Sequence, residues 1–298
     1  MSSQKIPLRA RIESSLSLLQ THRKERVQNA KNVVADHRIL MGYLTKYLGL
    51  PVEQTRILEI GCGQTAIQTA LFHTDGARVT GIDVEVPTFR MGFFLLLQVM
   101  RSNGFERALK SLARHLLFDK RYFGEVSKEY GKPIHFEGID TRIMDATGMA
   151  FGERSFDFIF SRSVLEHVED VESAVKEVNR VLSTEGIAVI TVHLFPSLSG
   201  GHSAEWGDPD RAPSRRVPPW DHLRDNRFPQ NTYLNKLKIT DYRHIFYGNT
   251  GVLNEQTLRG GEKVLTAELE EELGSKGYTR EDLLTSTIIF CIRKRHKS

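Results

Sequence analysis

The chain has 298 residues, 40% of them hydrophobic, a formal net charge of +4 and two cysteines. That length and apolar content suffice for one large domain with insertions, or one domain and a small appendage. No apolar run approaches a membrane span, and residues 1–30 lack the charged, apolar and small-residue zones of a secretory signal. Cys62 and Cys291 lie far apart and match no metal-ligand spacing, so free thiols, a reducing cytoplasmic setting and no metal site are the expectation.

In chain order, residues 1–30 read as a polar N-terminal segment ahead of a domain spanning 31–298. Val33, His37, Leu40, Met41, Leu44 and Leu48 mark one face of a helix ended by Gly49 and Pro51, placed to cover a site or a sheet edge. Ile57-Leu58-Glu59-Ile60-Gly61-Cys62-Gly63 reads as a buried parallel strand running into a turn whose backbone approaches a ligand closely. A second apolar strand ends at Asp83, 20 residues after Gly63, where a carboxylate can accept from both hydroxyls of a ribose. Together they indicate a nucleotide-type cofactor. Gly61-Cys62-Gly63-Gln64-Thr65-Ala66 also fits the dinucleotide pattern G-x-G-x-x-A, so this turn alone leaves NAD open. Cys62 reads as a small space-filler rather than a nucleophile.

Residues 87–132 form an insertion, because the stretch from Asp83 to Asp145 exceeds what one helix and one strand need. It holds nine basic and four acidic residues, net +5, with apolar stripes at Phe93 to Met100 and at Leu109, Leu112, Leu116 and Leu117. The favoured reading is a basic helical lid with Phe93, Leu96 and Leu97 over an acceptor pocket; the alternative is peripheral contact with an anionic membrane. Phe156 to Ser161 is the next strand, followed by Ser163-Val164-Leu165-Glu166-His167-Val168. A helix then carries Val171, Ala174, Val175, Val178, Val181 and Leu182 at helical spacing, and Ile187 to Val192 is another buried strand.

A second insertion, 196–240, carries six of the ten prolines and is placed to form an acceptor wall, with Trp206, Trp220 and Tyr233 available to stack on a sugar or aromatic ring or to pack the loop. The C-terminal part reads as a helix from Thr240, a strand over Phe246 to Leu253, an acidic helix at Glu268 to Glu272 and a last strand at Ser286 to Ile292.

This order of motifs, spread over roughly residues 30–195, resembles the class I S-adenosylmethionine-dependent methyltransferases, especially the branch that includes the ubiquinone and menaquinone biosynthesis methyltransferases. The resemblance implies a doubly wound, mostly parallel, seven-stranded Rossmann-like α/β sheet with a final antiparallel strand, a helical insertion after strand 2 and a long loop insertion after strand 5. It also implies that Glu59, Gly61 and Gly63 form the loop under the methionine part of S-adenosylmethionine, with Glu59 helping to hold the ammonium. Asp83 would take the ribose hydroxyls, Asp145 the adenine amino group, the Ala146 N–H the adenine ring, and Ser161 would lie beside the cofactor through its backbone. Many members carry a third glycine where this chain has Thr65, which is read instead as a cap on the following helix. The chemistry agrees: an ammonium and a sulfonium welcome Glu59, whereas a pyrophosphate beside it would be repelled.

The function these readings imply is methyl transfer from S-adenosylmethionine to a small, sugar or lipid-linked acceptor, at oxygen. A hydroxyl of high pKa benefits from a base within hydrogen-bond reach, and His193 and His202, at and beyond the end of the fifth strand, are the candidates. Glu166-His167, a pair the family often has, is read as structural. The competing classes are a nicotinamide-dependent oxidoreductase and a non-catalytic cofactor- or RNA-binding protein. The basic insertion lacks an aromatic platform, so no nucleic-acid partner is expected.

Overall fold

Strands that are apolar on both faces need cover on both sides, and the two core strands of this protein receive it from different helices. The computed structural model describes residues 8–85, 89, 119–207 and 213–295, with 8–25 by backbone alone. Seven strands, β1 (Arg56–Ile60), β2 (Arg78–Asp83), β3 (Asp140–Ile143), β4 (Phe156–Arg162), β5 (Leu182–His193), β6 (Gly251–Arg259) and β7 (Thr285–Arg293), form one sheet in the order β3-β2-β1-β4-β5-β7-β6. β1 to β5 pair in parallel, and β7 runs antiparallel between β5 and β6. This is the doubly wound sheet with an antiparallel closing strand that the motif order implied.

Along β1 and β4 the side chains alternate between two cores. On one face Leu58, Ile60 and Ile159 meet Val171, Val175 and Val178 of α4 (Val171–Val181) and Tyr242 and Phe246 of α5 (Ile239–Asn249). On the other, Ile57, Phe158 and Phe160 meet Leu44 and Phe72, brought by the turn after α1 (Leu8–Tyr43) and by α2 (Ile67–Thr74). A third cluster lies apart from the sheet. There Phe195, Leu198, Trp206, Val217, Trp220 and Leu223 pack with Leu273 of α6 (Ala267–Ser275) and Leu283 of α7 (Arg280–Leu284).

Three elements differ from expectation. The first helix begins at Leu8, not near Val33, and among its residues with described side chains Ala30, Val34 and His37 are the most deeply buried, followed by Leu44 on the next turn. It lies on a sheet face and on α2, not at the edge: Ala30 and Val34 pack with Ile67 and Leu71. The sixth strand is Gly251–Arg259 rather than Phe246 to Leu253, because Ile239, Tyr242 and Phe246 share the buried face of α5. β6 is an edge strand with no fully buried position, so its sequence carries little apolar signal. Trp206 and Trp220 are 3% and 0% exposed and cannot stack on a ligand; their indole N–H groups donate to the carbonyls of Val217 and Pro196, each at 3.1 Å.

Within the 87–132 insertion the described part is α3 (Lys120–Tyr130), whose Val126 packs against Ala30, Val34 and Leu71. Phe93, Leu96, Leu97 and the second apolar stripe lie outside the described residues. Among the described residues no helix is long and apolar enough to cross a membrane.

Asp75, after α2, joins α1, α2 and α3. It accepts from His37 Nε2 at 2.8 Å, from Lys132 Nζ at 2.7 Å and from the Tyr130 hydroxyl. Burial would raise its pKa, but these bonds outweigh it and hold the carboxyl at about 2. A depressed carboxylate pKa stabilises the fold above the unfolded value of 3.8, and that stability is lost as pH falls through the folded value of about 2. Asp75→Asn is therefore expected to cost about 2 kcal/mol at neutral pH. Its deficit against wild type should shrink between pH 4 and 2 in urea unfolding at fixed pH; a pH-independent deficit would show that packing, not charge, is at stake.

Candidate functional site

Because β1 to β5 are parallel, their carboxyl ends lie on one edge, and the strand order reverses between β1 and β4. Ligands of doubly wound sheets bind at such a reversal. Glu59 sits on β1 and is 7% exposed, its carboxylate accepting from the Thr69 hydroxyl on α2. Burial raises its pKa to about 7, Thr69 lowers it and nearby Asp83 raises it further. A buried acid held near neutrality is suited to receiving a cation.

The turn after β1 has a specific geometry. Gly61 and Gly63 have φ of +79° and +64°, a region costly for residues with a Cβ. A Cβ on Gly61 would stand 2.1 Å from Cγ2 of Val164, so the turn after β4 lies directly against the glycine turn. A Cβ on Gly63 would meet nothing within 4 Å, so there the backbone borders open space. Asp83, at the end of β2, fastens the turn: one carboxylate oxygen accepts from Gly63 N at 2.8 Å and the other from Glu85 N at 2.9 Å. Each oxygen retains a second lone pair. Thr65 does not cap α2; the cap position is Ala66, at φ +45°, and no side chain bonds there. Cys62 is buried beside Gly81, and burial with Glu59 and Asp83 pushes its thiol far above the ordinary range, which makes it inert filler.

The other residues expected at the cofactor occupy the same edge. Asp145 and Ala146 follow β3; Asp145 Oδ1 accepts from Thr147 N and Oγ1, both at 2.8 Å. Ser161, near the end of β4 and 2% exposed, has no partner for its hydroxyl. An acid-lined, open glycine cradle with unbonded lone pairs fits the ribose hydroxyls, ammonium and sulfonium of S-adenosylmethionine, and among the described residues of the turn and of the ends of β1 and β2 no cation faces a pyrophosphate.

Around the turn after β4 the structure gathers four histidines. His193 ends β5, with Ser199 Oγ 3.1 Å from its Nε2. His202, in a left-handed φ of +55°, has ring contacts of 5.3 Å to His193 and 4.9 Å to His167. His222 is tied by a ring nitrogen to the Phe195 carbonyl at 2.9 Å. Burial, with the neighbouring histidines, pushes His202 down to about 4 and lowers His193; burial also takes His222 to about 4, although the Phe195 carbonyl and Asp221 oppose it. The expected pair His193 and His202 is thus adjacent, while His167 and His222 complete a group that spacing in sequence did not reveal. Glu166 is 1% exposed, and neither carboxylate oxygen has a hydrogen-bond partner. Burial pushes its pKa to about 7; the amides of Glu166 and His193 lie near enough to offset part of that but not in hydrogen-bonding geometry.

Residues 102–190 match the family model described as Methyltransferase domain. The matched segment includes Asp145, Ser161 and the Glu166-His167 turn and excludes the glycine turn. Similar solved structures include an S-adenosylmethionine-dependent methyltransferase from Listeria monocytogenes, described as putative, at 13% identity over 86% of this chain and 98% of that one, with a TM-score of 0.47. Geranyl diphosphate C-methyltransferase from Streptomyces coelicolor matches at 13% identity over 88% and 77%, with a TM-score of 0.46. A protein from Pyrococcus horikoshii matches at 14% identity over 88% and 90%, also with a TM-score of 0.46. The methyltransferase-domain match over residues 102–190, with the acid-lined glycine turn at the reversal of the sheet ahead of it in the chain, makes the protein an S-adenosylmethionine-dependent methyltransferase.

Proposed function

We propose that the protein methylates an oxygen of a small, sugar or lipid-linked acceptor seated between the glycine turn and the histidine group. The observation that supports this reading is the closeness of Gly61 to Val164, by which the glycine turn and the turn carrying Glu166 and His167 are neighbours. In this reading Glu59 receives the cofactor's ammonium, Asp83 its ribose hydroxyls, and Asp145, Ala146 and Ser161 border the adenosine. When bound, S-adenosylmethionine supplies a methyl group on sulfonium sulfur, whose C–S bond breaks with its electron pair staying on sulfur as the O–C bond forms. The chain's part is to align the hydroxyl, exclude water and take its proton. His193 and His202, half-buried at the end of β5 and beyond, are the groups assigned to take it. Tyr233, 53% exposed, is the aromatic side chain of the 196–240 loop left to meet an acceptor ring.

The test is transfer of labelled methyl from S-adenosylmethionine to a panel of hydroxyl acceptors. With any acceptor the wild type accepts, His193→Ala and His202→Ala are expected to lower kcat by about 100- to 10,000-fold while S-adenosylhomocysteine affinity is kept. Full activity in both variants would remove the histidines from the mechanism.

Asp83→Ala removes the ribose acceptor and unties the turn at Gly63, and is expected to weaken S-adenosylhomocysteine binding by about 1.5–3 kcal/mol. Calorimetry that finds wild-type affinity in the folded variant would move the ribose to another acid.

Glu59 predicts a pH profile. Only its carboxylate attracts an ammonium, so with a free-protein pKa of about 7 affinity should fall as pH drops from 8 to 6, with proton release on binding. Glu59→Gln should bind more weakly and lose that release; a wild type whose binding heat is independent of buffer ionisation enthalpy contradicts the assignment.

A further inference from the structure

We propose that Glu166, His167 and His202 form a site for one divalent metal ion of the zinc class. One ligand atom from each of the three lies within 4.8 Å of the others. Side-chain adjustment closes such a spacing to the roughly 3–4 Å that separates ligands around one ion.

Each residue shows why its ligand atom is available. Glu166 is buried at 1% exposure with both carboxylate oxygens unpartnered, an arrangement that costs free energy unless a cation or donor fills the gap. Nε2 of His202 is likewise buried and unpartnered. His167 Nδ1 lies 2.8 Å from the Tyr233 carbonyl, which can only accept, so Nδ1 carries the proton and the Nε2 lone pair is left free. A backbone carbonyl fixing the tautomer in this way is the usual support of a metal-bound imidazole.

The frame around the three is also built. Asn235 Nδ2 donates to the carbonyls of Leu165 and Val168 at 2.7 and 3.0 Å, and its backbone N–H to the Glu166 carbonyl at 2.9 Å, clamping the turn that carries two of the ligands. His202 is kept in its left-handed conformation by its N–H to the Ser199 carbonyl at 2.9 Å. Two imidazoles and one carboxylate are a set that catalytic zinc sites use, with a fourth position open to water or substrate.

The use of the site rests on the methyl-transfer reading. The acceptor oxygen would take the open position, its proton would pass to His193, and the metal-bound oxygen would be the nucleophile. His202 then acts through the ion and His193 remains the base.

The experiment is titration of the chelator-stripped full chain with Co2+, followed by visible absorption, and then displacement by Zn2+. The expected result is one Co2+ per chain, displaced by Zn2+. Affinity should fall at least tenfold in Glu166→Gln, His167→Gln and His202→Gln and stay unchanged in His135→Gln, an exposed control. S-adenosylhomocysteine binding identifies the folded variants and is expected to persist in them. Absence of stoichiometric Co2+ binding, or affinity retained within twofold in the folded ligand variants, overturns the metal site. Loss of S-adenosylhomocysteine binding in the wild type would instead overturn the methyl-transfer reading and leave the metal result standing.

Discussion

The carboxylate of Asp83 couples the two elements on which the site depends. Its two oxygens take the N–H groups of Gly63 and Glu85, so the end of β2 holds the turn that leaves β1. The N–H groups of Gly61 and Cys62 add bonds to the Ile82 carbonyl at 2.8 and 3.1 Å, while Gly61 and Gly63 lie in left-handed conformations and Gly61 is pressed against Val164. Two N–H groups satisfied by a charged acceptor are worth more than the same bonds to neutral groups, and they fix the backbone before any ligand arrives. In the proposed reading, the acid that orders the cradle is also the one that receives the ribose.

Burial sets a second constraint, to which Glu59 and Asp83 add: the Glu59 pKa is raised to about 7 and the Cys62 thiol is suppressed. A site with so much buried acid is out of balance without a cation, which is the electrostatic reason for a sulfonium cofactor rather than a pyrophosphate. The same logic recurs in the turn after β4, where buried Glu166 stands beside histidines with no hydrogen-bond partner for its carboxylate among the described residues.

The cofactor half was legible in the sequence because its residues belong to short, local patterns. An apolar strand, a glycine pair and an acid at the end of the next strand define positions that parallel pairing then fixes, as in the register of Glu59 with Gly81 and Ile60 with Ile82. The acceptor half was only partly legible. His193 could be placed because it ends a strand, but the approach of His167 to His202 requires the 196–240 segment to fold back, and no spacing encodes that. The tryptophans show the same gap. Trp206 and Trp220 looked available for stacking, yet they are the core around which this segment folds with Leu273 and Leu283, an apolar face that periodicity cannot assign to a partner. β6 was displaced toward its neighbour because an edge strand with a mostly exposed surface carries less apolar signal than the helix Ile239–Asn249 before it.

The central claim is that the acid-lined turn selects a sulfonium nucleoside over a dinucleotide. Calorimetry of the full chain against S-adenosylhomocysteine and, separately, NAD tests it most directly. The account predicts one S-adenosylhomocysteine bound per chain and no heat with NAD; saturable NAD binding with no response to S-adenosylhomocysteine would contradict it.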